Sequence, residues 1–343
     1  MDRTKNQILR QLISGSKTLW QLIRHQDSSI KEFVEELKKL EREKIIKREG
    51  TFFKLIKESL TEIPHVHFDW VCDACGQGID LNKDFINIKV RFRELVEKRP
   101  PPREDYDQGF MRWEDTLKRA VFIYERGDLE DKRVFILGDD DLLTLALALM
   151  NLAEHITVVE IDERIVDFIK ETAKKLGCKE IEVLEYNVVN ELPSSLKGNY
   201  DTFVTDPVET WKGIKFFLGR CIQSLKGRGC SGYFGLTHLE ASSGKWYEIE
   251  KFLLNCNLVI TDIWRDFSFY PEEENKWQRF YQSYRLLREI PRVELPEVDW
   301  YRSSLVRIEA VDKIRKPQFP TLVSQRELYF DEESWATPEI ENR

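Results

Sequence analysis

Residues 134–149, VFILGDDDLLTLALAL, decide the fold. A short apolar run with strand length, Val134 to Leu137, meets Gly138 and then Asp139, Asp140 and Asp141. It returns at once to an apolar stretch that reads as a helix. Strand, one-glycine turn and helix in immediate succession form the opening unit of an α/β sheet. Three adjacent carboxylates repel one another and lose hydration on burial, so an ordinary turn avoids them. Their presence at this turn raises the question of what positive charge they meet.

Working outward, apolar runs of strand length recur at 133–137, 156–161, 181–184, 200–205, 229–236 and 258–264. Helical stretches such as ERIVDFIKETAKKLG and WKGIKFFLGRCIQSLKG lie between most of them, and RFYQSYRLLRE is expected to supply a last strand. The alternation predicts a parallel, doubly wound sheet, which binds ligands outside the carboxyl ends of its strands near the switch in strand order. That rule collects Gly138, Asp139, Asp140 and Asp141 after the first strand, and Glu160 and Asp162 after the second. Asn187 follows the third, and Asp206 and Glu209 the fourth. Acids at three of four adjacent strand ends predict a site.

A strand-two carboxylate such as Glu160 can accept hydrogen bonds from both ribose hydroxyls. The first turn nevertheless lacks G-x-G-x-x-G, and three aspartates there would repel a pyrophosphate. The expected ligand is a nucleoside without phosphates that carries positive charge. S-adenosylmethionine and its decarboxylated relative, both sulfonium ions, fit.

VFILGDDDL followed by VVEID resembles the aminopropyltransferases (spermidine synthases). The resemblance puts Asp141 on their aminopropyl-gripping Asp, Glu160 on their ribose-binding Glu, and Asp206-Pro207 on the Asp-Pro after strand four. Two glycines of that family's turn are Asp139 and Asp140 here, and Asn187 stands where an acid often contacts adenine. The branched-chain polyamine synthases, or N4-bis(aminopropyl)spermidine synthases, are more similar still. The shared segments are the CxxC stretch, Tyr106-Asp107-Gln108, Arg126 to Glu130, Leu137 to Leu142, Glu160 to Arg164, and Asp206 to Thr210. The resemblance implies a class I methyltransferase-like (Rossmann-like) fold and decarboxylated S-adenosylmethionine as co-substrate, with no tightly bound cofactor. It also implies transfer of aminopropyl groups to the central nitrogen of spermidine, with loss of 5′-methylthioadenosine. Gln108, Gly138, Asp139, Asp141, Glu160 and Asn187 would then hold the donor.

Spermidine is a trication, and the donor adds a sulfonium and an ammonium, so one pocket takes both only with several compensating carboxylates. Asp141 is expected to hold the donor's ammonium, and Asp140 and Glu209 the acceptor's terminal amines, with Asp162 a fourth candidate. The attacking nitrogen must lose its proton; Asp206 is the first choice of acceptor and Asp162 the second. A quaternary product nitrogen also wants carboxylates or aromatic faces, for which Trp211, Tyr233, Phe234 and Trp113 are available. His238, beyond strand five, reads as a structural histidine.

Before this domain, residues 4–57 read as helix, helix, helix and hairpin, a winged-helix pattern. Residues 1–57 have 14 Lys and Arg against 8 Asp and Glu, inside a chain of net charge −8. Glu32, Glu35, Glu36 and Glu41 on the third helix suit phosphate contact poorly, which favours a scaffold that pairs into a homodimer over a nucleic-acid reader. His65, His67, Cys72 and Cys75 have the look of a zinc knuckle, but no second CxxC exists and a metal-free turn is expected. The predicted organisation is a winged-helix-like domain over 1–60 and a CxxC segment with a proline-rich linker over 61–104. A catalytic domain over 105–290 and an extension over 291–343 follow. The extension's end, with Asp331, Glu332, Glu333, Glu339 and Glu341, is expected to form an acidic lid over bound polyamine.

Composition is that of a globular protein, 41% hydrophobic and 33% charged, with 3 Met, which suits heat tolerance. Six scattered Cys argue against a disulfide framework. No apolar run reaches membrane-span length and no signal-peptide pattern opens the chain, so a cytoplasmic protein is expected. Two rival readings remain: a nucleic-acid amino-group methyltransferase, since TDPVET loosely resembles the Asp-Pro-Pro-aromatic signature, and a non-catalytic polyamine sensor.

Overall fold

The computed structural model describes residues 3–24, 30–56, 78–82, 84–271, 275, 281–285, 288, 299–322 and 324–338. His65, His67, Cys72 and Cys75 lie outside them. The chain divides into two compact units, one formed by 1–87 with 118–131 and the other by 88–117 with 132–343.

The first unit begins with helix α1 (Arg3–Ile13), strand β1 (Lys17–Thr18), helix α2 (Leu19–Arg24) and helix α3 (Ile30–Arg42). A hairpin of β2 (Ile46–Glu49) and β3 (Phe52–Leu55) turns at Gly50, which has the positive φ such a turn demands. The antiparallel order β1-β3-β2 is the winged-helix arrangement. Helical spacing of Ile8, Leu9, Leu12, Phe33, Leu37 and Leu40 closes a core with Ile46 and Phe53. Glu36 was expected on the outer face of α3. It is instead buried at 8% exposure and takes the ammonium of Lys39, one helical turn on.

Residues 118–131 join this unit rather than the catalytic one. Arg10 of α1 donates to the Glu130 carboxylate and the Tyr124 carbonyl, with its guanidinium 4.0 Å over the Tyr124 ring. Arg3 stands 3.8 Å from Asp128. The Arg126 to Glu130 segment therefore anchors α1.

The second unit holds most of helices α4 (Ile86–Val96) and the first part of α5 (Trp113–Glu125). A seven-stranded sheet follows, made of β4 (Arg133–Leu137), β5 (His155–Glu160), β6 (Ile181–Glu185), β7 (Thr202–Thr205), β8 (Ser231–Leu236), β9 (Leu258–Phe269) and β10 (Arg302–Ala310). Helices α6 (Leu143–Met150), α7 (Glu163–Leu176), α8 (Trp211–Ser224) and α9 (Ser243–Asn255) connect its strands. The order is β6-β5-β4-β7-β8-β10-β9, parallel from β6 to β8, with β10 antiparallel between β8 and β9. Because β4, β7 and β8 are covered on both faces, their sequences are continuous apolar or small runs, as central parallel strands require. The order reverses at β4, so the crevice opens at the Asp triplet.

The expected last strand differs. Among the described residues of RFYQSYRLLRE, Tyr281–Ser283 form a 3-10 turn and Arg285 and Arg288 are helical, and the seventh strand is Arg302–Ala310. The segment expected to be an extension after residue 290 thus completes the sheet. Among the described residues no helix is long and apolar enough to cross a membrane.

Candidate active site

A cavity of about 460 Å³ opens at the carboxyl ends of β4, β5, β6 and β7. Each member of the Asp triplet has a different task there. The Asp139 backbone N–H donates to Glu160 at 2.8 Å, and its carboxylate accepts from Thr144 N at 3.0 Å, capping α6. The residue before that helix, Leu142, has φ 59° and no side chain able to cap, so Asp139 substitutes for it. Asp139 is 2% exposed and does not line the cavity; burial pushes its carboxyl up to about 8. Its expected direct contact with the donor is therefore replaced by helix capping.

Asp140 and Asp141 do line the cavity. Burial first, and then the charges of Asp141 and Glu160, hold the Asp140 carboxyl well above the ordinary range. Asp141 accepts from Met111 N at 2.9 Å and lies 3.5 Å from Arg99. The same guanidinium donates to the Asp140 carbonyl and stacks 3.4 Å from the Phe110 ring centroid. Gly138, at φ 75°, makes the turn that aims both side chains inward.

Glu160 lines the cavity with its oxygens largely committed. Oε1 accepts from the amides of Ile161 and Asp162, and Oε2 from that of Asp139, at 2.7–2.8 Å. Two lone pairs per oxygen leave Oε2 one remaining acceptor direction, enough for one ribose hydroxyl rather than two at full strength. Burial raises its pKa despite these three amides.

Asp162 is the clearest departure from expectation. It caps α7 through Arg164 N and is gripped by the Arg164 guanidinium at 2.6 and 3.0 Å and by Gln108 at 3.2 Å. Its side chain is fully buried and does not line the cavity. Burial pushes its pKa up, but these bonds outweigh it and hold the carboxyl below its ordinary value. A carboxylate in this state is a poor proton acceptor, so neither the catalytic nor the substrate contact expected of Asp162 fits. Gln108 lines the cavity, fixed between Asp162 and the amide of Arg103.

Asn187, Asp206 and Glu209 line the cavity as expected. Asp206 lies flat over β8: a Cβ on Gly235 would fall 2.1 Å from its Oδ1. Glu209 is pushed well above the ordinary carboxyl range by burial, then by Glu240, Asp107 and Asp206. Six carboxylates line the cavity (Asp107, Asp140, Asp141, Glu160, Asp206 and Glu209), and no Lys, Arg or His is among the described lining residues.

The aromatic candidates are replaced. Tyr233 and Phe234 are fully buried in the sheet, Tyr233 under Arg307. Trp211 packs edge-on against Phe252, and Trp113 lies by Lys89. None of the four lines the cavity; Tyr106, Tyr186, Tyr270, Tyr284, Tyr301 and Tyr329 do. Tyr106 ends a 3-10 turn and Tyr329 a four-residue helix, and the others lie in loops and at strand ends, where no periodicity marks them. Asp107 was legible only as part of a shared tripeptide; its φ of 56°, unusual for a residue other than glycine, was the detail hidden from the sequence. His238 stands 4.0 Å from Asp266, outside the lining.

The expected acidic lid is a wall of another kind. Leu328, Tyr329, Ala336, Thr337 and Pro338 line the cavity. The carboxylates between them turn away, Asp331 to Lys245 and Trp211 N, and Glu333 to Ser242. Glu339 and Glu341 lie outside the described residues.

A doubly wound sheet with an antiparallel strand beside its edge, and an acid-lined crevice at its switch point, defines a class I methyltransferase-like fold. Residues 87–336 match the family described as the branched-chain polyamine synthase A C-terminal domain. The chain is 43% identical over 274 residues to the N(4)-bis(aminopropyl)spermidine synthase of Methanocaldococcus jannaschii, covering 78% of this chain and 75% of that one. It is 40% identical to the enzyme of that name from Thermococcus kodakarensis, at the same coverages. A crystal structure of the branched-chain polyamine synthase from Thermus thermophilus, in complex with N4-aminopropylspermidine and 5′-methylthioadenosine, aligns at a TM-score of 0.65. The identity there is 30%, over 95% of this chain and 92% of the other. The chain belongs to the branched-chain polyamine synthase family.

Proposed function

We propose that this protein is an aminopropyltransferase that moves aminopropyl groups from decarboxylated S-adenosylmethionine to the central nitrogen of spermidine. The products are N4-aminopropyl- and N4-bis(aminopropyl)spermidine with 5′-methylthioadenosine. The observation that carries this is the lining of six carboxylates without a basic side chain among the described residues. Such a cavity suits polycations and rejects a phosphodiester backbone, which disfavours the nucleic-acid methyltransferase reading.

Glu160, Gln108 and Asn187 would hold the nucleoside beside Gly138. Asp141 would hold the ammonium of the aminopropyl tail, and Asp140 and Glu209 the acceptor's terminal amines. Asp206 would take the proton from the central nitrogen. That nitrogen's lone pair forms the new C–N bond at the aminopropyl carbon as the C–S bond breaks, and the C–S bonding pair leaves with sulfur, which becomes a neutral thioether. Alignment supplies most of the rate, because the leaving group needs no assistance. A second transfer gives a quaternary nitrogen, for which the tyrosine faces of the cavity are suited.

The winged-helix unit would act as a homodimer scaffold rather than a nucleic-acid reader, in a cytoplasmic protein. The deciding experiment is incubation with decarboxylated S-adenosylmethionine and spermidine, followed by mass spectrometry of the polyamines. Species one and two aminopropyl units heavier are expected; absence of 5′-methylthioadenosine release defeats the reading.

A further inference from the structure

One buried ammonium lies beside the cavity without lining it. Lys245, in the first turn of α9, is 8% exposed. Three oxygens from three separate segments accept hydrogen bonds from its Nζ: the Glu209 carbonyl at 2.9 Å, the Glu240 carbonyl at 2.8 Å and Asp331 Oδ2 at 2.9 Å, with Glu333 Oε2 further off at 3.7 Å. An ammonium has three protons and no lone pair, so this set saturates it.

Each segment contributes to the same end of the cavity. Glu209 lines it from the loop after β7. Glu240, in the loop after β8, uses its carboxylate to hold the amides of Ala336 and Thr337 at 2.7 and 2.8 Å, and both residues line it. Asp331, itself outside the lining, follows the lining residues Leu328 and Tyr329 in the chain, and also accepts from Trp211 N at the start of α8. The nucleoside end, built from Gly138, Glu160 and Asn187, has no bond to Lys245 among those described.

We propose that Lys245 is the positioning residue for the acceptor end of the cavity, tying the loops after β7 and β8 to the segment 326–338 so that Glu209 and the C-terminal wall face the polyamine together. This rests on the aminopropyltransferase reading for its substrate and on geometry alone for the tether. Removing the ammonium leaves two carbonyls and a carboxylate facing one another with no donor between them, so the three segments separate. An arginine keeps the charge, but its planar fork presents donors in a different geometry and restores the junction only in part.

The test uses the full chain as wild type, Lys245→Met, Lys245→Arg and Asp331→Asn. The first measurement is amide hydrogen exchange without substrates. Lys245→Met should speed exchange across 326–338 and leave 155–176 unchanged. The second is steady-state kinetics: the KM for spermidine should rise about tenfold or more while that for the donor stays within about twofold. Lys245→Arg should recover part of the acceptor KM, and Asp331→Asn, which keeps the shape but removes the charge facing Nζ, should fall between. Unchanged exchange across 326–338 overturns the tether. A parallel rise in both KM values, or a fall in turnover at constant acceptor KM, overturns the positioning role. Should Lys245→Met not fold, Asp331→Asn carries both measurements. A wild type that makes no aminopropylated product would refute the activity, while the exchange arm still decides the tether.

Discussion

Asp162 and Asp206 follow β5 and β7, the strands on either side of β4, and only Asp206 lines the cavity. Asp162 is committed to the α7 cap and to Arg164. Asp162→Ala should cost about 0.5–2 kcal/mol of stability for the lost cap, read by denaturant unfolding, and leave the shape of the pH–rate profile intact. Asp206→Asn should lower turnover about 10²- to 10⁴-fold, the range for removing a proton acceptor; wild-type turnover in that variant would reject the assignment. Gly235→Ala pushes on the same carboxylate from below, since its Cβ needs the space that Oδ1 occupies. It should lower turnover with little change in either KM, measured by methylthioadenosine release. At this scale the sequence was legible where strand ends converge, which is how Asp140, Asp141, Glu160, Asn187, Asp206 and Glu209 could be chosen. It was illegible where a side chain's partner comes from elsewhere. Nothing in GDDD says that the first Asp caps a helix whose own Leu142 cannot, or that Arg164 will close over Asp162.

Elements were legible where periodicity is strong. The six strands from β4 to β9 and the winged-helix order follow from apolar runs and helical spacing. The seventh strand was not, because β10 is a return strand whose sequence, RSSLVRIEA, alternates weakly and whose partners are set by the sheet edge. The membership of 118–131 was equally hidden, since it depends on Arg10 meeting Glu130 across 120 residues. That pair is buried on both sides, at 6% and 7% side-chain exposure. Glu130→Ala should destabilise by about 3–5 kcal/mol, because the guanidinium is left buried without its carboxylate. Adding Arg10→Met should restore part of the loss in chemical denaturation; equal losses in the single and double variants would show that the pair contributes nothing of its own.

At the scale of the whole molecule, acids with displaced pKa values include two kinds with opposite pH behaviour. Asp162 and Asp331 have lowered pKa values, so their stabilisation is present above the ordinary carboxyl pKa and is lost as pH falls through their folded values. Asp139, raised to about 8, and Glu240, raised to about 7, have theirs below the ordinary carboxyl pKa and lose it as pH rises through those values. The unliganded protein should therefore melt at a lower temperature at about pH 9 than at about pH 6, and bound spermidine should narrow that gap. A melting temperature that rises over this interval would contradict the burial of these groups. The C-terminal wall belongs to this scale as well. Deleting 328–343 should raise the acceptor KM by loss of Tyr329 and Thr337 from the cavity, and unchanged KM and turnover would remove the wall from the account.

Burial holds the Asp140, Glu160 and Glu209 carboxyls above their ordinary range, so a polyamine seated among them is expected to displace protons. The most direct measurement is calorimetric titration of spermidine into the protein with 5′-methylthioadenosine present, near neutral pH, in buffers of differing ionisation enthalpy. Net release of about one proton or more per polyamine, with affinity falling as pH is lowered, is the predicted result. Binding with no proton release, or with net uptake, would contradict the claim that the carboxylate cavity is the cation's seat.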